Sequence, residues 1–117
     1  MKLIIYSSDT AGVQSNCVYP HRHEATDAAS LADAVRCDHV CAEYKGNYRG
    51  KDNYITSNCV VMDVDNDHSE NPDEWITPEA LAEEYANVRY AITFSRHHMK
   101  QKDSYSPRPR FHIYFEI

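Results

Sequence analysis

The sequence predicts an α+β fold, a mixed or antiparallel sheet with flanking helices. Three observations carry that expectation. Short runs rich in β-branched and aromatic residues recur along the chain, segments with helix-start signals lie between them, and the last two runs are joined by a loop alone, as in a hairpin. Residues 3–6 (Leu3, Ile4, Ile5, Tyr6) form the first predicted strand, followed by a loop to about residue 25. Thr26 can cap a helix over 27–40, in which Ala28, Leu31, Ala34 and Val35 recur at helical spacing. Residues 44–53 read as a polar loop punctuated by Gly46 and Gly50. Within 54–65 the strongest apolar run, Cys59, Val60, Val61 and Met62, predicts a buried strand. Thr77 followed by Pro78 and Glu79 predicts a helix start with proline in the first turn, continuing to about residue 86. Residues 88–95 and 110–117 predict two further strands, the second strictly alternating.

Length and composition bound the function. A chain of 117 residues fits one domain, 1–117. With 42% hydrophobic and 26% charged residues, 3 Gly and 5 Pro, disordered and fibrous classes are excluded. No apolar run approaches the roughly 18–20 residues of a membrane span, and the first residues lack a signal-peptide core. The expectation is a cytoplasmic protein with no membrane partner. Four cysteines without a secretory signal predict free thiols. Cys17, His21, His23, Cys37, His39 and Cys41 have the residue types of a zinc site but lack its paired Cys-x-x-Cys spacing. Cys37 and Cys41, four apart at the end of the predicted helix, read instead as small core residues. The sequence stops inside its last predicted strand, so the expectation is the N-terminal part of something longer.

Net charge is -6, which by itself argues against a nucleic-acid partner. Its distribution argues otherwise. Residues 63–84 hold nine acids and no Lys or Arg, whereas 89–110 hold Arg89, Arg96, Lys100, Lys102, Arg108 and Arg110 against Asp103 alone. Alternation in the strand before the acidic segment gives Asp63 and Asp65 one face and Met62 and Val64 the other. Two carboxylates roughly 6–7 Å apart at a strand end can hold Mg²⁺ or Mn²⁺. The same parity puts Thr93, Ser95 and His97 on one face of their strand. In the last strand Phe111, Ile113 and Phe115 face the core, and Arg110, His112, Tyr114 and Glu116 the other side. Asp63 and Asp65 are therefore the candidate metal ligands and catalytic carboxylates. Ser95, His97, His98, Arg108, Arg110 and His112 are the candidate phosphate and nucleotide contacts. Carboxylate-held metal with His and Arg around a triphosphate is the equipment of nucleotidyl transfer. With 3 Gly in all, a glycine-rich phosphate loop is excluded. Residues 44–54 interleave Tyr44, Tyr48 and Tyr54 with Lys45, Arg49 and Lys51, a pattern that can stack bases and contact phosphates. It is equally an ordinary polar connection.

This order of motifs resembles the archaeo-eukaryotic primase superfamily, and within it the primase-polymerases of phages and mobile elements. The likeness rests on an apolar strand ending Asp63-x-Asp65, a strand ending Ser95-Arg96-His97-His98, and the run from Pro107 to Phe115. It covers most of the chain and is weakest before about Leu31. The resemblance implies a DNA primase, a nucleotidyltransferase of DNA replication. Asp63 and Asp65 would be its metal ligands, and Ser95 with His97 its small-x-His phosphate motif, for which His98 and His112 compete. Arg108 and Arg110 would be triphosphate contacts. Partners implied are a nucleoside triphosphate, a single-stranded DNA template and a helicase domain or protein. A third acidic motif has no convincing match before Ile117, Glu116 being too close to the second motif, so the expectation is that this ligand lies further along a longer chain.

Other readings stand beside this one. Asp63-x-Asp65-x-Asp67 with Glu74 imitates a calcium loop, but His68 occupies the position where that loop turns on glycine. An aspartate-nucleophile phosphohydrolase would use Asp63 as nucleophile and Asp65 as acid/base, leaving the His- and Arg-rich last strand without a role. A non-catalytic nucleic-acid-binding module would rely on Tyr44, Lys45, Tyr48, Arg49, Lys51 and the basic segment.

Overall fold

Strand β1 (Leu3–Ser7) is the middle of a three-stranded antiparallel sheet. The structure, a computed structural model, describes residues 1–117. On one side of β1, β2 (His21–Ala25) pairs along its whole length, with Leu3 facing Ala25 and Ser7 facing His21. On the other, β3 (His39–Val40) pairs with Tyr6 and Ser7. Helix α1 (Ala28–Ala34) packs on β1 and β2 and buries Leu31 and Ala34. The fold is α+β with antiparallel sheets and few helices, as the sequence predicts.

Two expectations fail in this region. Residues 21–25 are a strand rather than loop. Four of the five are polar (His21, Arg22, His23, Glu24), so no apolar alternation marks them, and backbone pairing with β1 holds them in place. Helix α1 is also shorter than 27–40. Asp27, not Thr26, is its cap: the Asp27 carboxylate accepts from the Ser30 N–H, and the Ser30 hydroxyl reaches back to the Asp27 N–H. The helix stops at Ala34 because the following backbone bonds to the chain after β1. The Asp38 N–H donates to the Thr10 carbonyl and the Ser8 N–H to the Asp38 carbonyl. Cys37 and Cys41 therefore share no helix face.

Strands β4 (Glu43–Tyr44) and β5 (Tyr54–Thr56) form an antiparallel pair joined by 3-10 turns at Lys45–Asn47 and Lys51–Asn53. Gly46 at φ +62° and Asn47 at φ +60° are the left-handed residues of the first turn.

The chain divides into two compact units, residues 1–60 with 115–117, and residues 61–114. Leu3, Ile5, Tyr6, Tyr19, Leu31, Ala34 and Cys59 form the core of the first. Val64, Leu81, Phe111, Ile113 and Tyr114 form that of the second. A second three-stranded sheet has the order β6 (Cys59–Val64), β8 (Phe111–Glu116), β7 (Tyr90–Phe94). Strands β7 and β8 are the expected hairpin. The Ser95 N–H donates to the Arg110 carbonyl and the Met99 N–H to the Arg108 carbonyl, which ties the segment leaving β7 to the segment entering β8. Helix α2 (Pro78–Glu84) starts as predicted, with Pro78 in its first turn and the Thr77 hydroxyl accepting from the Ala80 N–H.

Strand β6 is not the buried strand its composition predicts. Cys59 and Val64 are buried, but Val60 is 44% exposed, Val61 37% and Met62 53%. The reason is its place at the edge of the β6–β8–β7 sheet, where the central strand β8 takes most of the cover. No helix is long and apolar enough to cross a membrane.

Candidate functional site

The acidic end of β6 is shaped by the residue that follows Asp65. Asn66 has φ +58° in the left-handed region, where a non-glycine residue is uncommon and asparagine among the best tolerated. Its buried side chain closes three hydrogen bonds. Nδ2 donates to the carbonyls of Ile76 and Pro109, and Oδ1 accepts from the Ile76 N–H. The chain is thereby turned out of β6 immediately after Asp65 and tied to the segment entering β8.

That entering segment carries Arg108 and Arg110, and both are buried and ion-paired within the protein. Arg108 is fully buried, and protein acceptors occupy all its donors. Nε and Nη2 reach the Ser106 carbonyl and hydroxyl, Nη1 the carbonyls of Asn66 and Ser69, and Nη2 also Glu70 at 3.0 Å. Its guanidinium lies 5.1 Å from the ring centres of both Trp75 and Tyr105. Arg110, 3% exposed, donates from Nη2 to Asp67 at 2.7 Å and lies 5.8 Å from the Tyr105 ring centre. The Arg110 guanidinium in turn holds the Asp67 carboxyl below its ordinary value. The expectation that Arg108 and Arg110 contact a triphosphate meets a physical obstacle, because both are withdrawn from solvent and the donors of Arg108 are all taken, although Arg110 Nε has no acceptor. Asn66, Trp75 and Tyr105, which organise them, were not marked by the motif reading. The signal available was Asn directly after Asp-x-Asp, a residue suited to a left-handed exit.

The pairing of β6 with β8 brings Asp63 and His112 together, although Arg110 and Tyr114, on the His112 side of β8 by alternation, are buried rather than turned to solvent as the sequence predicts. His112 Nε2 is 3.3 Å from Asp63 Oδ1, with Asp63 exposed and His112 about one-third exposed. Contact across the two strands means that Asp63 and His112 share a sheet face, as the alternation of each strand predicts. Asp65 is exposed beyond the strand end, and its Oδ1 accepts from the Asp67 N–H. On β8's other side the Ser95–Arg110 pairing puts Ser95 and Thr93 on the His112 face by the same parity.

Neighbouring His97 and His98 belong to the turn that follows β7. The Ser95 hydroxyl accepts from the His97 N–H at 3.4 Å. His98 Nδ1 accepts from the Arg110 N–H, and its ring lies 4.4 Å from that of Phe94. An imidazole whose Nδ1 caps a backbone donor is a turn-holding group. Of the three competing histidines, the fold brings His112 to the Asp63 carboxylate.

Tyr44, Lys45, Tyr48, Arg49 and Lys51 lie in or beside the β4–β5 excursion of the first unit. Tyr48 is 52% exposed and Tyr54 55%, and Lys45, Arg49 and Lys51 are exposed. Tyr44 meets Tyr54 edge-on at 6.2 Å. Arg49 lies 5.5 Å from the Tyr19 ring centre and donates to the Asn16 carbonyl.

Fit to a divalent cation can be tested on the donor set. No three His, Cys, Asp or Glu side chains gather into a group able to hold a metal ion. Asp63 and Asp65 are two exposed carboxylates on successive same-face positions. That is the sparse set used for Mg²⁺, which keeps several waters and completes its shell with substrate phosphates. No protein-family model, curated protein or solved structure matches the chain.

Proposed function

We propose that the β6–β8–β7 sheet carries a divalent-metal-dependent nucleotidyl-transfer site of the primase-polymerase type. The observation that carries this reading is the 3.3 Å approach of His112 Nε2 to Asp63 Oδ1 across neighbouring strands. It joins Asp63, one of the two Asp-x-Asp carboxylates, to a histidine from the basic, Pro-Arg-Pro-Arg-Phe-His segment. Asp63 and Asp65 would hold Mg²⁺ or Mn²⁺, which supplies neutralisation of phosphate charge when bound. His112 orients Asp63 and, with the Ser95 and Thr93 hydroxyls on the same face, supplies donors to the incoming nucleoside triphosphate. Arg108 and Arg110 act behind the site, fixing the Asn66 turn and Asp67. A single-stranded DNA template would lie on Tyr48, Tyr54 and the cations Lys45, Arg49 and Lys51. A helicase domain or protein fits the same replication role.

Calorimetric titration of the 117-residue chain with a nucleoside triphosphate, with and without Mn²⁺, tests the reading. Metal-linked binding abolished by Asp63→Ala and Asp65→Ala and weakened by His112→Gln supports it. Binding indifferent to metal, or to both aspartate changes, counts against it. A covalent phospho-aspartate at Asp63 would instead identify a phosphohydrolase.

A further inference from the structure

The β2–β1–β3 sheet changes character along the face that α1 covers. At one end Leu3, Ile5 and Ala25 are buried core beneath Leu31 and Ala34. At the other, Ser7 stands opposite His21 on β2 and His39 on β3, while His23 lies opposite Ile5. Cross-strand partners share a face, so His21, His23 and His39 lie on the same face as Ser7 at this end. The Ser7 hydroxyl lies 2.8 Å from His23 Nε2 and is itself almost wholly buried. Over this polar end opens a cleft of about 510 Å³, floored by Ser7, His21 and His23 and walled by Arg36 and Cys37 at the end of α1. Nothing in the nucleotidyl-transfer reading uses these residues.

The donors in this cleft are N–H groups and a hydroxyl. Two acids also line it. Asp33 pairs with Arg36 at 3.3 Å, but both partners are mostly exposed, and an exposed pair of that kind is weak, so Arg36 is available to a competing anion. Asp9 accepts from or pairs with His21 Nε2 at 2.7 Å, orienting that ring and leaving its Nδ1 edge. No group of three His, Cys, Asp or Glu side chains suited to a metal ion is present. A guanidinium, imidazole nitrogens and a hydroxyl converging from different elements match the several oxygens of a tetrahedral anion better than the two of a carboxylate.

We propose that this cleft binds a phosphate-type oxyanion, held by Arg36, the imidazoles of His21 and His23 and the Ser7 hydroxyl.

The test is an NMR titration of the histidine ring resonances of the full 117-residue chain in EDTA. The probes are inorganic phosphate and phenyl phosphate, with sodium acetate as the control anion at equal ionic strength. The expected result is saturable movement of the His21 and His23 resonances with both phosphates, while those of His68 and His97 stay in place. Arg36→Ala, at an exposed position that should fold normally, weakens binding at least about tenfold. Asp63→Ala leaves it unchanged, which separates this site from the proposed nucleotidyl-transfer site. Tighter binding of phenyl phosphate than of inorganic phosphate would show that the cleft also takes the organic group. Equal movement with acetate, no saturation, or binding indifferent to Arg36→Ala would overturn the proposal.

Discussion

Asp67 and Arg110 meet at 2.7 Å, and the pair joins the acidic turn after β6 to the first residue before β8. Arg110 is almost fully buried while Asp67 keeps about a third of its side chain in solvent. Arg110 Nε has no acceptor of its own, so Asp67 is the guanidinium's one ionic partner within the protein. Such an arrangement is asymmetric, because loss of the carboxylate strands a desolvated cation.

The pair makes stability depend on pH. Hydrogen bonding to Arg110, followed by its charge, depresses the Asp67 carboxyl below its ordinary 3.8. A depressed acid contributes stability that is fully present above the ordinary value and is lost as pH falls through the folded one. Asp67→Asn should therefore lower stability by about 2 kcal/mol near neutral pH, and the difference from the parent should shrink in acid. Urea denaturation of both proteins at pH 7 and at pH 3 checks this. An undiminished difference in acid would remove the ionic account.

Asn66 offers a second separation of effects. Its amide makes three hydrogen bonds in a buried setting, and its backbone is left-handed. Asn66→Gly removes the amide but relieves the backbone, whereas Asn66→Ala removes the amide and keeps the strain. Alanine should cost about 3 kcal/mol and glycine about 1 kcal/mol less than alanine, measured by equilibrium denaturation. Equal losses would assign the whole effect to the hydrogen bonds.

For Arg108 the test distinguishes an architectural cation from a phosphate contact. Its five donors and its two aromatic neighbours are matched by no other side chain. Arg108→Lys keeps the charge but loses the planar fork, and should destabilise by about 2–4 kcal/mol. At temperatures where the variant is folded, its nucleotide affinity should equal the parent's. Calorimetry showing a selective loss of affinity with unchanged melting would restore the triphosphate role.

Legibility in the sequence followed the strength of the local signal. The β7–β8 hairpin, α2 with Thr77 and Pro78, and the shared face of Asp63 and His112 could be read because side-chain period and capping chemistry are local. Strand β2 could not, since His21, Arg22, His23 and Glu24 have no apolar alternation and owe their conformation to pairing with a distant segment. The end of α1 was hidden for a related reason. Apolar residues at helical spacing continue to Val40, but the bonds of Asp38 to Ser8 and Thr10 favour a turn into β3. Arg108 and Arg110 look like phosphate ligands by residue type, and their burial against Trp75, Tyr105, Glu70 and Asp67 comes from contacts distant in sequence that no local pattern shows.

Strand β6 makes a prediction opposite to its composition. Val60 and Met62 are among the more exposed apolar residues of the chain, so replacing either with threonine removes little buried surface. Val60→Thr and Met62→Thr should each change stability by no more than about 0.5 kcal/mol, whereas Val64→Thr, at a buried position of the same strand, should cost about 1–2 kcal/mol. Thermal melts of the three variants decide it. A large loss at Met62 would show that the residue is covered in solution.

Cys41 and Cys59 should differ from the other thiols in reactivity. A hydrogen bond to the Cys59 sulfur, followed by burial, pushes the Cys41 thiol far above its ordinary range, and the same bond pulls Cys59 down. The Ser57 hydroxyl lies 2.6 Å from the Cys41 carbonyl and 2.7 Å from the Cys59 carbonyl, bringing the two backbones together. Cys59 is nearly sealed from solvent, with its sulfur donating to the Ile4 carbonyl, and Cys41 holds its proton. Alkylation needs an accessible thiolate, so both should react at least about tenfold more slowly with iodoacetamide at pH 8 than Cys17 or Cys37. Peptide mass mapping over time reads the order directly. In Cys59→Ser the sulfur that raises Cys41 is gone, and Cys41 should be alkylated faster than in the parent. An unchanged Cys41 rate would mean that burial alone sets its reactivity.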